Sequence, residues 1–152
     1  MTTSKATSTY QQKSLGDTAV DGLLAGIGAG LVMALFLLLI GLLNGDLATA
    51  VFGRFDPGQN QQWLTGLVIH LAVSSIYGIV FGLLYLVLIR IRPSWARLSW
   101  LLGLAYGLLL YGVVQTALAT GIDSGLVQFT AVILLLAHAI YGLVLGIILG
   151  RK

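Results

Sequence analysis

Charge is what this chain has least of, and its placement matters more than its scarcity. Only 9% of the residues are charged, where soluble domains carry roughly 25%. No Asp, Glu, Lys or Arg lies in the central part of any of its long apolar runs. That pattern excludes an ordinary soluble domain. It also removes the buried ionisable groups that proton-coupled transporters and charge-selective pathways commonly place near the bilayer midplane. Cysteine is absent, which excludes disulfides, thiolate metal sites and cysteine nucleophiles.

What remains is strongly apolar: 58% hydrophobic residues over 152 positions. A membrane helix needs about 20 mostly apolar residues to cross the hydrocarbon layer. Four segments meet that requirement, at about 22–43, 63–90, 98–119 and 125–149. The expected fold is all-α: an integral membrane four-helix bundle over residues 17–152, made of two tandem transmembrane hairpins. Residues 1–16, rich in Ser, Thr and Gln, read as a disordered cytoplasmic tail. Ser14 and Asp17 have the spacing of a capping box, so the first helix is expected to start near Leu15 to Thr18, before the bilayer. Ala48-Thr49-Ala50 resembles a signal-peptide cleavage site, but the run before it is longer than the ~7–15 residues of a signal sequence.

The cations orient the bundle. Lys5 and Lys13 precede the first span, Arg90, Arg92 and Arg97 separate the second from the third, and Arg151 and Lys152 follow the fourth. Arg54 alone, with Asp46, Asp56 and Asp123, falls on the other side. By the positive-inside rule both termini are cytoplasmic. The same dispersal argues against nucleic acid, which needs a clustered basic surface.

Two stretches nearly repeat each other: Ile76-Tyr77-Gly78-Ile79-Val80-Phe81-Gly82 and Ile140-Tyr141-Gly142-Leu143-Val144-Leu145-Gly146. Tyr77 and Tyr141 stand 64 positions apart, and pairing Gly26 and Gly30 with Gly103 and Gly107 gives an offset of 77. The difference of 13 is close to the excess of the first outer loop, about 18 residues, over the second, about 5. Within that loop 46–55 reads as a short interfacial helix, and Asp56-Pro57-Gly58 as a turn. Ser94 is the expected cap of the third helix.

Small residues four apart let membrane helices approach closely, because burial of apolar surface gives helices little reason to associate in lipid. Gly22, Gly26 and Gly30, Gly78 and Gly82, Gly103 and Gly107, and Gly142, Gly146 and Gly150 all have this spacing. Their grooves serve either packing within the bundle or contact with a partner. The candidate intramembrane polar site comprises His70, Tyr77, Tyr106, His138 and Tyr141. His138 is nearly central, while His70 lies nearer the outer surface, a depth mismatch of ~7–8 Å that disfavours bis-histidine haem ligation. Ligation of a haem or chlorin by a single histidine stays open. Ser74, Ser75, Gln115 and Thr116 are expected to bond across helices. No metal site, phosphate-binding loop or nucleophile–base–acid set can be assembled, so neither metal, cofactor nor enzyme activity is expected.

The Gly-rich first span, His70 with Tyr77-Gly78-x-x-x-Gly82, and Tyr141-Gly142-x-x-x-Gly146 resemble small, uncharacterised YagU-like bacterial proteins with four spans. The resemblance implies a compact bundle in the bacterial inner membrane and transfers no functional residues. The expected role is a structural or accessory subunit, with the lipid bilayer and other membrane subunits or its own copies as partners. The alternatives are a channel or carrier for a small neutral solute, lined by Tyr77, Tyr106, His138 and Tyr141, and a pigment-binding protein.

Overall fold

The structure is a computed structural model that describes residues 14–58, 60–121 and 125–151. The tail up to residue 13, Asp123 and Lys152 lie outside the described residues. Five α-helices follow one another: α1 (Leu15–Leu43), α2 (Ala48–Gly53), α3 (Trp63–Ile91), α4 (Ser99–Ala119) and α5 (Ala131–Gly150). Among the described residues there is no strand. Counting the short 3₁₀ turn Pro93–Leu98 with α4, four helices are long and apolar enough to cross a membrane.

Local chemistry sets most boundaries. Ser14 Oγ accepts from the Asp17 N–H at 3.0 Å, and the Asp17 carboxylate accepts from the Ser14 N–H at 3.3 Å, so the capping box forms as expected. Asn44 caps the other end of α1, and Gly45 turns the chain at φ +86°. Two expected starts move. Ser94 does not cap α4, because Pro93 opens the 3₁₀ turn and the α-helix begins at Ser99. The fourth long helix starts at Ala131 and not at 125, since residues 125–128 form a 3₁₀ turn and Thr130 Oγ1 accepts from the Ile133 N–H at 3.3 Å.

The helices pair antiparallel: α1 lies along α3, and α4 along α5. The two pairs join through α1 and α5, while α3 and α4 meet sparsely. The core runs between them, from Ala25, Ala29 and Leu37 on α1 to Leu134, Ala137 and Leu145 on α5, with Phe81 on α3. The outside is equally apolar. Leu24, Leu35 and Leu39 of α1 and Leu64, Val68, Ile76 and Val87 of α3 are exposed. Soluble monomers rarely expose contiguous apolar patches beyond a few hundred Å².

At the ends the polar residues gather. Arg90, Arg92, Arg97 and Arg151 lie at one end of the bundle. At the other end α2 and the loop after it fold over the helices. Val51 is fully buried, and Arg54 contacts Asp46 (2.8 Å), Gln128 (Nε to Oε1, 2.9 Å) and the ring of Phe129 (4.9 Å). The residues 46–55 therefore form a cap strapped to the segment before α5. Asp56 organises the turn below it, accepting from the N–H groups of Gly58 (3.0 Å) and Gln62 (2.8 Å).

Candidate functional site: a wedge between two glycine seams

Each helix pair is held by a seam of glycines against carbonyls. On Gly78 and Gly142, the hydrogen that stands where a Cβ would be points at the carbonyl oxygens of Gly22 and Gly103 respectively. The relation is reciprocal, with Gly22 aimed at Gly78 O and Gly103 at Gly142 O. One turn away, Gly26 faces Ser74 O and Gly107 faces His138 O; in the other direction, Gly82 faces Thr18 O and Gly146 faces Ser99 O. Such Cα–H···O contacts contribute roughly 0.5–1 kcal/mol each. Four per seam give about 2–4 kcal/mol, on top of the dispersion that close backbones allow. Gly30 and Gly150 complete the set, each against a serine side chain, Ser74 and Ser99. All ten glycines singled out by their spacing thus face the other helix of their own pair.

The contacts also correct the register. Gly22 and Gly26 are the counterparts of Gly103 and Gly107, at an offset of 81, one helical turn from the offset of 77 read from spacing. Against the offset of 64 between Gly78 and Gly142 this leaves 17 extra residues in the first pair. They are divided among the first connection and the longer helices α1 and α3, which have 29 residues each against 21 and 20.

Where the seams end, the pairs differ. Beyond Gly26 the next turn of α1 carries Gly30, packed on Ser74; beyond Gly107 the next turn of α4 carries Tyr111, whose ring meets that of His138 edge-on at 6.2 Å. There α3 and α4 part, and a cavity of about 210 Å³ opens. His70, Ser74 and Tyr77 of α3, Leu110 and Val114 of α4, and His138 and Tyr141 of α5 line it, with Phe55 of the cap at its roof. Val73 lines it as well and is 43% exposed on the outer surface, so the cavity communicates sideways with the surroundings of the bundle.

Aromatic groups close the floor. The Tyr141 hydroxyl donates to Ser74 O at 2.7 Å, the Tyr106 hydroxyl donates to Tyr77 O at 3.0 Å, and Phe81 packs on Tyr106 with ring centroids 5.0 Å apart. At the roof, His70 stacks on Phe55 with centroids 4.6 Å apart and bonds through Nε2 to Gly30 O on α1 at 3.0 Å. His138 bonds within its own helix, Nδ1 to Leu134 O at 2.7 Å.

Four of the five polar residues picked from the sequence, His70, Tyr77, His138 and Tyr141, line this one cavity, and Tyr106 lies beneath it. The expected bonding differs in detail. Tyr141 does donate across a helix contact, but its counterpart Tyr77 takes part through its carbonyl. Ser75 and Thr116 bond back to their own helices, to Ala72 O and Gly112 O, and not across. A short polar side chain on a helix reaches the carbonyl one turn back more easily than a neighbour. Sequence reasoning missed Phe55 and Leu126, which reach the cavity from connections; no periodicity marks such residues.

A four-helix bundle with an apolar exterior, glycine seams and a small side-opening cavity defines the class. Residues 17–152 match the model of a family of unknown function, DUF6789, and the chain belongs to that family. No curated protein and no solved structure matches it.

Proposed function

We propose that the protein is an integral protein of the bacterial inner membrane, two tandem hairpins with both termini cytoplasmic, that holds a small uncharged molecule drawn from the lipid phase. The observation that carries this reading is the side-opening cavity, where two histidines meet an otherwise mainly apolar wall. Small-molecule sites are typically concave and apolar with a few convergent polar groups. The exposed leucines and valines of every long helix suit lipid contact, the distribution of cations supports the orientation, and the YagU-like resemblance points to the inner membrane. The matched seams, Gly22 with Gly78 and Gly103 with Gly142, support the duplication.

The volume bounds the guest. Drug-sized ligands occupy pockets of about 300–1,000 Å³, so about 210 Å³ is too small for a haem or chlorin. The aromatic floor speaks against an open channel, since Tyr141, Tyr106 and Phe81 fill the path towards the arginine-rich end. Binding, unlike catalysis, requires no nucleophile or base.

The test is purification in lipid nanodiscs, followed by extraction and mass spectrometry of bound small molecules. The protein should carry a guest that Val73→Phe, which fills the mouth, displaces. Equal guest content in both would remove the reading.

The accessory-subunit role is the second reading. The partner face would not be a glycine groove, since all ten grooving glycines face inward. The open side of α4, the least covered of the four long helices, carries Ala105, Gly112 and Thr116 instead. Larger subunits co-purifying in mild detergent, and lost with Gly112→Phe, would support it.

A further inference from the structure

The two histidines face the same cavity in the same hydrogen-bonding state. His70 Nε2 lies 3.0 Å from Gly30 O, and His138 Nδ1 lies 2.7 Å from Leu134 O. A carbonyl oxygen only accepts, so each of these nitrogens carries the hydrogen. In a neutral imidazole the other nitrogen is then a bare acceptor. For His70 that is Nδ1, and for His138 it is Nε2. No Asp, Glu, Lys or Arg lines the cavity, so nothing there compensates an imidazolium, and burying an unpaired charge is costly. Asp56, next to Phe55 in the chain, is already engaged by Gly58 and Gln62.

Two hydroxyls that can donate also stand on the wall, those of Ser74 and Tyr77. The hydroxyl hydrogens of Tyr141 and Tyr106 are spent on Ser74 O and Tyr77 O. The Tyr77 hydroxyl is the one ring O–H on the wall that makes no hydrogen bond among the described residues. The wall thus carries two imidazole acceptors beside the Ser74 and Tyr77 hydroxyls, so a guest hydroxyl can donate to one group and accept from another. An apolar cavity of about 150 Å³ holds benzene. One of about 210 Å³ takes a single ring with one or two substituents.

We propose that the wedge binds a hydroxylated single ring, of the phenol or hydroquinone class, whose O–H groups donate to His70 and His138. This rests on the reading of the wedge as a small-molecule site. The ring reaches the site past Val73, between α3 and α4. Its source is either a free phenol or the head of a lipid whose tail stays in the bilayer, and the recognition chemistry is the same for both.

The test uses the full chain in phosphatidylcholine nanodiscs and titration calorimetry with two probes: hydroquinone, and 1,4-dimethoxybenzene, which keeps the ring and loses both O–H groups. Hydroquinone should bind roughly tenfold more tightly, the ratio that one to two net hydrogen bonds supply. His138→Leu should cut that preference severalfold while leaving dimethoxybenzene binding in place. This variant keeps the fold testable, because the only hydrogen bond His138 makes among the described residues is to its own helix; a thermal melt checks that it does. Binding of both probes without preference would overturn the donor assignment and leave the small-molecule site standing. Binding of neither would overturn both. A decyl-tailed hydroquinone that outcompetes hydroquinone identifies a lipid source, and equal competition identifies a free phenol.

Discussion

The two helix pairs share a seam and differ one turn beyond it. Gly22, Gly26, Gly78 and Gly82 meet as Gly103, Gly107, Gly142 and Gly146 do, carbonyl for carbonyl. At the end of the seam Gly30 and Ser74 stand in one pair where Tyr111 and His138 stand in the other. Identical contacts serve to hold helices together, and helices held alike carry no chemistry of their own. At that end Ser74 and His138, equivalent positions of the two pairs, both line the wedge. His70 is likewise a histidine where the second pair has Leu134, so the two imidazoles reach one cavity from non-equivalent positions.

The seams are the place to break the comparison hardest. Gly78→Ala and Gly142→Ala each drive a methyl into backbone that cannot yield, the carbonyls of Gly22 and Gly103. Each should lose about 2–4 kcal/mol, from overpacking and lost Cα–H···O contacts, measured by detergent unfolding. Losses differing by more than about 2 kcal/mol would mean the two seams are not equivalent.

Smaller effects sharpen the contrast. Arg54→Met removes the ion pair with Asp46, the bond to Gln128 and the cation–π contact with Phe129 that strap the cap of the first pair to the second. It should cost about 1–2 kcal/mol and speed proteolysis of the 46–62 loop. Tyr141→Phe should cost about 1 kcal/mol, because it removes the hydroxyl that donates to Ser74 O across the helix contact. Tyr77→Phe should stay within about 0.5 kcal/mol, since Tyr77 meets Tyr106 through its carbonyl. The same melts would read both; equal losses would make the two tyrosines alike after all. The histidines should differ from each other in the same way. His70→Leu breaks a bond between α3 and α1 and should cost about 0.6–1.7 kcal/mol. His138→Leu breaks only one within α5 and should be nearly neutral.

Much of this was legible in the residues. The four apolar runs became the four long helices, and the capping box marked the start of the first where it was expected. The glycine spacing identified every seam residue but not its counterpart, because a four-residue repeat matches itself when slid by one turn. Spacing alone therefore aligns Gly26 and Gly30 with Gly103 and Gly107, one turn from the register of the contacts. The polar residues were legible as unusual company for an apolar run, though not their bonding, since a histidine's partner is set by which carbonyl lies within reach.

The sequence by itself determined that this chain makes long helices apolar on every side, because its uncharged runs are long enough to cross a hydrocarbon layer as helices, with the backbone hydrogen bonds made inside each helix. It also supplied the small residues on which close packing depends. Only the tertiary structure decided which glycine meets which carbonyl, that Phe55 of the cap roofs His70, and that α3 and α4 part to leave a space. Those outcomes depend on contacts between residues far apart in the chain, and no local pattern specifies them.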